Sequence, residues 1–254
     1  MKTALTIAGS DPTGGAGLQA DLKVFHACGV YGLSVVAALT AQNTATVNSS
    51  ASVPADFVKK QLDTLISDIR PDALKTGMLF SIGAVLAVAE AVQGYELDNL
   101  VIDPVTISST GAQLIEKGGL DMLKIKLFPL ARVITPNIYE ATALSGIRID
   151  SPADMEKAAR ALKSFGPETV IITGGHLEHE TLDLFYDGTL FHKIIGKKIL
   201  GEYHGTGCTF SAALTACLAQ GTTVLHAAEK AQAFVREAIR RAHALGRGMK
   251  LLHV

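Results

Sequence analysis

Short β-branched apolar runs alternate along the chain with longer stretches whose apolar residues recur every three or four positions. The segments 4–8, 33–39, 73–76, 99–102, 132–135 and 169–173 read as strands. Leu100-Val101-Ile102, Val133-Ile134 and Val170-Ile171-Ile172 contain no polar position, which suits parallel strands covered on both faces. Between them, 17–27 sets Leu18, Leu22 and Phe25 at helical spacing, and 54–69 does so with Phe57, Leu62, Leu65, Ile66 and Ile69. Segments 82–92, 122–127, 138–144, 153–165, 208–219 and 224–245 follow the same spacing. Ser151-Pro152 reads as an N-cap followed by proline at the first helical position. Near residue 182 the rhythm changes. Two strand-like runs flank Asp187-Gly188, which predicts a β-hairpin closed by a type I′ turn. The whole pattern predicts one α/β domain over 1–254. Its sheet is mostly parallel, with helices on both faces and an antiparallel hairpin near one edge.

Composition narrows the function. With 254 residues, 48% of them apolar, the chain can bury enough surface to offset its ordering entropy, which excludes disorder. Lys and Arg total 23 against 24 Asp and Glu, so there is no electrostatic basis for binding nucleic acid or an anionic membrane. The charge-poor stretch 24–55 is broken by Asn43, Asn48, Ser49, Ser50 and Pro54, and its densely apolar part is too short to span a bilayer. The first residues lack the pattern of a signal peptide. Three cysteines, Cys28, Cys208 and Cys217, without a CxxC pair predict a reducing, cytoplasmic setting rather than a disulfide framework. No Cys and His cluster has zinc-site spacing.

Five segments fall at strand–helix junctions, where open α/β sheets bind ligands. Gly9-Ser10-Asp11-Pro12-Thr13-Gly14-Gly15-Ala16-Gly17 allows close backbone approach to a ligand, with Asp21 a turn into the next helix. The alternative is a tight loop with a solvated acid at the helix start. Its spacing fits neither a Walker loop nor a dinucleotide fingerprint. Thr40-Ala41-Gln42-Asn43-Thr44 offers adjacent amides able to read the edge of an aminopyrimidine or an amide ring, although Gln-Asn is also ordinary turn composition. Asp103-Pro104-Val105, followed by Ser108-Ser109-Thr110-Gly111, offers a carboxylate for Mg²⁺ or simply an Asx-turn. Asn137 and Glu140 form either a capping box or an amide–carboxylate pair aimed at a metal–phosphate complex. The fifth, His204-Gly205-Thr206-Gly207-Cys208-Thr209, opens a helix of small residues. Its backbone N–H groups form an anion hole, and the same field should lower the Cys208 pKa. The alternative is a structural cysteine at a close packing point.

Taken together, these segments, with Gly77-Met78-Leu79 and Gly174-Gly175-His176, resemble the hydroxymethylpyrimidine/phosphomethylpyrimidine kinases of thiamin biosynthesis. Order and spacing agree from residue 4 to about residue 215. The resemblance implies a ribokinase-like fold, usually a homodimer. It also implies a kinase that uses ATP and Mg²⁺ on 4-amino-5-hydroxymethyl-2-methylpyrimidine and then on its monophosphate. Carried over by position, Gln42 reads the pyrimidine, with Gly9, Met78 and Val105 lining that pocket and Asp21 near the hydroxymethyl group. Asp103 and Glu140 serve the metal, and Asn137, Thr173 and Gly175 the nucleotide. Gly205, Thr206, Gly207 and Cys208 form the anion hole, with Cys208 where ribokinase-like sugar kinases place a catalytic Asp.

The sequence departs from the family in three places. Thr173 stands where the family has Lys, and Thr106 where it has Met. The Gly-rich C-terminal segment is reduced to Gly246-Arg247-Gly248-Met249-Lys250. The first and third are expected on the nucleotide side, the second on the pyrimidine side. Two other activities fit the same residues, a pyridoxal kinase and a non-catalytic pyrimidine-binding protein.

Overall fold

In the computed structural model, which describes residues 1–106, 114–175 and 180–254, a nine-stranded sheet runs through the chain. Strands β1 (Thr3–Ser10), β2 (Tyr31–Gln42), β3 (Val47–Ser52), β4 (Ala73–Thr76), β5 (Leu100–Ile102), β6 (Val133–Ile134), β7 (Thr169–Ile172), β8 (Glu180–Tyr186) and β9 (Phe191–Lys197) lie in the order β3-β2-β1-β4-β5-β6-β7-β8-β9. β2, β1 and β4 to β7 are parallel, and β3, β8 and β9 each pair antiparallel with the strand before them.

The apolar runs read as two-faced strands divide residue by residue. Leu74, Leu100, Ile102, Ile134, Val170 and Ile172 face one core layer. Ala73, Val101, Val133 and Ile171 face the other. The first layer is completed by helices α2 (Ala55–Ile66), α3 (Ile82–Gly94), α4 (Gly119–Met122), α5 (Ile138–Ser145) and α6 (Pro152–Lys163). The second takes α1 (Gly17–Ala27), α7 (Thr206–Ala219) and α8 (Val224–Arg240). Burial on both faces is why these strands show no polar alternation. Ser151 caps α6 through Asp154 N, with Pro152 in the first turn, as its sequence predicts.

Several local expectations are corrected. β3 has no sequence signal, because it is an edge strand with mostly exposed side chains. It is set up by Asn43, whose Oδ1 accepts from Ala45 N and Thr46 N at 2.9 Å. The hairpin is present, but Tyr186 pairs with Phe191 around a four-residue loop. Asp187 Oδ1 accepts from Thr189 N and Leu190 N, and Gly188 alone has positive φ, so the turn is not type I′. Segment 122–127 is not a simple helix. It passes from α4 into one π-helical turn, Leu123–Leu127, and then a 3₁₀ turn. α8 stops at Arg240 rather than 245 because the following residues are drawn elsewhere. His243 and Leu251 exchange backbone bonds, and β11 (Lys250–Leu251) pairs with β10 (Tyr203–His204).

Candidate active site

Because the central strands are parallel, their carboxyl ends share one rim. β1 delivers Gly9 and Ser10 there, and β2 delivers Gln42 as its last residue. Met78 follows β4, Asp103 follows β5, Thr135 follows β6 and Thr173 follows β7. A cavity of about 890 Å³ opens along this rim. Every sequence-predicted site residue lines it except Asp21: Gly9, Gln42, Met78, Val105, Asp103, Asn137, Glu140, Thr173, Gly175, Gly205, Thr206, Gly207 and Cys208. Ser108-Ser109-Thr110-Gly111 and His176 lie outside the described residues.

The glycine-rich loop and the α7 N-terminus are fitted to each other. Gly205 has φ 81°, and a Cβ there would lie 1.8 Å from the Gly15 carbonyl oxygen, so only glycine serves. Gly17 has φ 60° and would drive a Cβ to 2.4 Å from Gly9 O. Thr209 N donates to Gly205 O at 2.9 Å, closing the first turn of α7. The N–H groups of Thr206, Gly207 and Cys208 therefore precede the helical ladder and point their positive ends at the cavity.

Asp21 is not at the cavity surface. It is fully buried one layer behind, and both its oxygens accept from Lys75 Nζ at 2.9 Å. Thr6 Oγ1 donates to it at 2.6 Å. Lys75, equally buried on β4, is the residue that the sequence reading passes over, and it lines the cavity. The signal was there: a lone lysine in a four-residue strand whose neighbours are all buried. Burial opposes the ammonium, but Asp21, Cys208 and Asp103 around it outweigh that and raise its pKa.

Asp103 and Glu140 face the same region. Ser211 Oγ donates to Asp103 Oδ2 at 2.9 Å. Glu140 and Asn137 do form the capping box: Glu140 N donates to Asn137 Oδ1 and Asn137 N to Glu140 Oε2, each at 3.0 Å. The capping reading of that pair holds, and the same two residues also line the cavity. Burial, then repulsion from Asp103, pushes Glu140 up to about 8. Burial also raises Asp103, against the attraction of Lys75. Two buried carboxylates that each disfavour the other's charge are a fit for a divalent cation. Among the described residues no group of three or more His, Cys, Asp or Glu could hold a metal unaided.

For Cys208 the expected lowering of the thiol pKa is reversed. Burial, with Asp103 nearby, pushes it up to about 12 and outweighs Lys75 and the Gly17 N–H. The side chain is only half-buried at the cavity wall, yet these effects together outweigh the helix field, so the thiol stays protonated at neutral pH.

Three further residues line the cavity beyond the predicted set, and the fold places them. Asp183 on β8 accepts from Gly174 N at 3.0 Å and from Gln232 Nε2 at 2.9 Å, which fixes the backbone after Thr173. Lys197 and Lys198 reach the same end of the cavity. The C-terminal segment lies at the opposite end from that expected. Gly248 N and Met249 N donate to Thr44 Oγ1 and O at 3.1 and 3.0 Å, so it braces the Gln42 side, not the nucleotide side. Among the described residues no helix is long and apolar enough to cross a membrane.

The chain is similar along almost its whole length to known proteins. It is 46% identical over 246 residues to the thiamine biosynthesis bifunctional protein of Geobacter sulfurreducens, covering 96% of this chain but only half of that protein. It is 43% identical to the hydroxymethylpyrimidine/phosphomethylpyrimidine kinase of Bacillus subtilis, over 96% of this chain and 92% of that one. The structure of the pyridoxal kinase from Staphylococcus aureus in complex with ADP superposes with a TM-score of 0.92 at 36% identity, over 100% of this chain and 93% of that one. That match bears out the ribokinase-like fold expected from the motifs. A family model for phosphomethylpyrimidine kinase matches residues 11–253, and on that match and these identities the chain belongs to the phosphomethylpyrimidine kinase family.

Proposed function

We propose that this chain transfers the γ-phosphoryl group of ATP to the hydroxymethyl oxygen of 4-amino-5-hydroxymethyl-2-methylpyrimidine, and then phosphorylates the monophosphate. One observation carries this reading beyond family membership. A single cavity joins Gln42, Gly9, Met78 and Val105 at one end to Thr173 and Gly175 at the other, with the α7 N-terminus and the Asp103–Glu140 carboxylates between. Gln42 carries both a donor and an acceptor for an aminopyrimidine edge.

In the reaction the hydroxymethyl oxygen bonds to the γ-phosphorus as the bond from that phosphorus to the ADP oxygen breaks, and the hydroxyl proton passes to an oxygen of the transferred phosphoryl group and from there to water. Positioning and charge neutralisation carry most of such a transfer. The N–H groups of Thr206, Gly207 and Cys208 face the equatorial oxygens, and Lys75 adds a fixed positive charge behind them. Cys208, protonated at neutral pH, acts as a hydrogen-bond partner to the reacting oxygen rather than as a ready thiolate. Asp103 and Glu140 would hold Mg²⁺, which when bound offsets the negative charge of the phosphates. Thr173 supplies a hydroxyl where the family has a cation, and Lys197 and Lys198 line that end of the cavity. A homodimer in the cytoplasm belongs to the same reading.

The fit to the Staphylococcus pyridoxal kinase favours a second substrate, since pyridoxal is also a flat heteroaromatic ring bearing a hydroxymethyl group. Measuring ADP release with MgATP and, in turn, the pyrimidine, its monophosphate and pyridoxal decides between them. Turnover with both pyrimidines is expected. Turnover with pyridoxal alone would assign the second activity, and binding without turnover would make this a binding protein.

A further inference from the structure

We propose that His204 is a specificity-determining positioning residue. Its ring fixes which way round the Gln42 amide is held, and so the order in which the site offers acceptor and donor to a heteroaromatic ring. This rests on the reading of Gln42 as the ring-binding residue.

His204 is buried at the end of β10 and lines the cavity beside Gln42. Its Nε2 lies 2.8 Å from Asp11 Oδ2 and 3.1 Å from the end of the Gln42 amide. Asp11 already accepts from Thr13 N, Ala16 N and the Thr13 hydroxyl, all at 2.8–2.9 Å. Burial acts against its charge, but these bonds and His204 hold its pKa below the ordinary value, so it is an ionised acceptor. Nε2 must therefore carry a proton, whatever the other ring nitrogen does. A ring N–H cannot also accept from an amide NH₂. With nitrogen toward nitrogen, two donors would face each other at 3.1 Å.

Turning the amide over resolves the conflict, since its oxygen and nitrogen ends are assigned by their partners. Gln42 Oε1 then shares the His204 N–H. At the other end stands Thr40 Oγ1, 3.3 Å from the amide and donating to Ser10 O at 2.9 Å. Its single proton goes to the shorter bond, so its oxygen is free to accept from Gln42 Nε2. Both ends of the amide then have a partner of the right polarity. The amide presents its remaining carbonyl lone pair on the His204 side and its remaining N–H on the Thr40 side. An aminopyrimidine docks with its exocyclic amine toward His204 and its ring nitrogen toward Thr40. A ring with the reverse order, or with acceptors only, leaves a polar group unpaired.

An independent observation shows that this spacing is held from outside. Leu251 pairs with His204, while Gly248 and Met249 bond to Thr44, two residues beyond Gln42. A Cβ on Gly246 or Gly248 would come within 2.2 or 2.0 Å of Thr44. The C-terminal segment thus ties the ends of β2 and β10 together.

The test has a ligand-free and a kinetic arm. Nitrogen NMR of the His204 ring in the full chain should find Nε2 protonated at pH 7; an unprotonated Nε2 overturns the proposal. In steady state, His204→Leu should raise KM for the pyrimidine about three- to tenfold, the scale of one hydrogen bond, with KM for ATP unchanged. His204→Gln, which keeps an N–H donor, should recover most of the loss and serves if the leucine variant does not fold. In a Gln42→Leu background, His204→Leu should add nothing. An equal rise for ATP and pyrimidine, or additive losses in the double variant, refutes the coupling. A wild type that turns over no pyrimidine removes the kinase reading instead, and the ring protonation still decides how the amide is held.

Discussion

Glu140→Gln removes a charge that the fold resists while keeping the bond that caps α5, since a glutamine carbonyl can accept from Asn137 N as the carboxylate does at 3.0 Å. In the native chain, burial and then Asp103 raise Glu140 from the ordinary 4.5 to about 8. Between those pH values the folded chain keeps a proton that the unfolded chain has released. Stability therefore falls as pH rises from about 4.5 to about 8, the opposite of a salt-bridged carboxylate. At about 1.4 kcal/mol per pH unit the ceiling is about 5 kcal/mol, and Asp103 shares in it because the two carboxylates titrate as a pair. For a chain of this size that corresponds to at most about 10–20 °C in Tm. The variant should melt with the wild type at pH 5 and several degrees above it at pH 9, measured by thermal scans and urea titration in metal-free buffer. A gap that does not change with pH, or a wild type more stable at pH 9, would refute the reasoning.

Cys208→Ala removes a hydrogen-bond partner of the reacting oxygen and should lower turnover about 10²-fold, the scale of one lost transition-state hydrogen bond, while pyrimidine binding holds. The raised thiol pKa also means that alkylation of Cys208 should be slow at pH 7 and still accelerating at pH 9; a rate already level at pH 7 would show a thiolate. Lys75→Met strands Asp21 as a buried unpaired charge and should cost about 3–5 kcal/mol in urea unfolding, with Asp21→Asn in the same chain recovering much of it. A single-variant loss under about 1 kcal/mol would mean that water reaches the pair. Thr173→Lys should lower KM for ATP by restoring a cation near the phosphates, and an unchanged KM would indicate that Lys197 or Lys198 already supplies it.

Much of this molecule is written locally. Runs such as Val170-Ile171-Ile172 declare strands buried on both faces, and Ser151-Pro152 declares a helix start, because each depends only on neighbouring side chains. The Gly-rich loop and Gly205-Thr206-Gly207-Cys208 can be read for the same reason: a close backbone approach and a helix N-terminus are local geometries. β3 left no mark, since an edge strand with exposed faces needs no apolar pattern. The electrostatics were decided only by the tertiary structure. Whether Cys208 is acidic depends on Asp103, Lys75 and how far its neighbours shield it from water, and those come from other strands. Asp21 reads as a solvated or substrate-facing acid until β4 places Lys75 against it, 54 residues away in the chain. The Gln42–His204–Asp11 contact spans up to 193 residues of sequence, and the segment that braces it is the C-terminal one, whose glycines only look like a tail. Periodicity records which face of an element meets the core, but the pKa of a group and the partner of an amide are set by atoms that meet only when the sheet has closed.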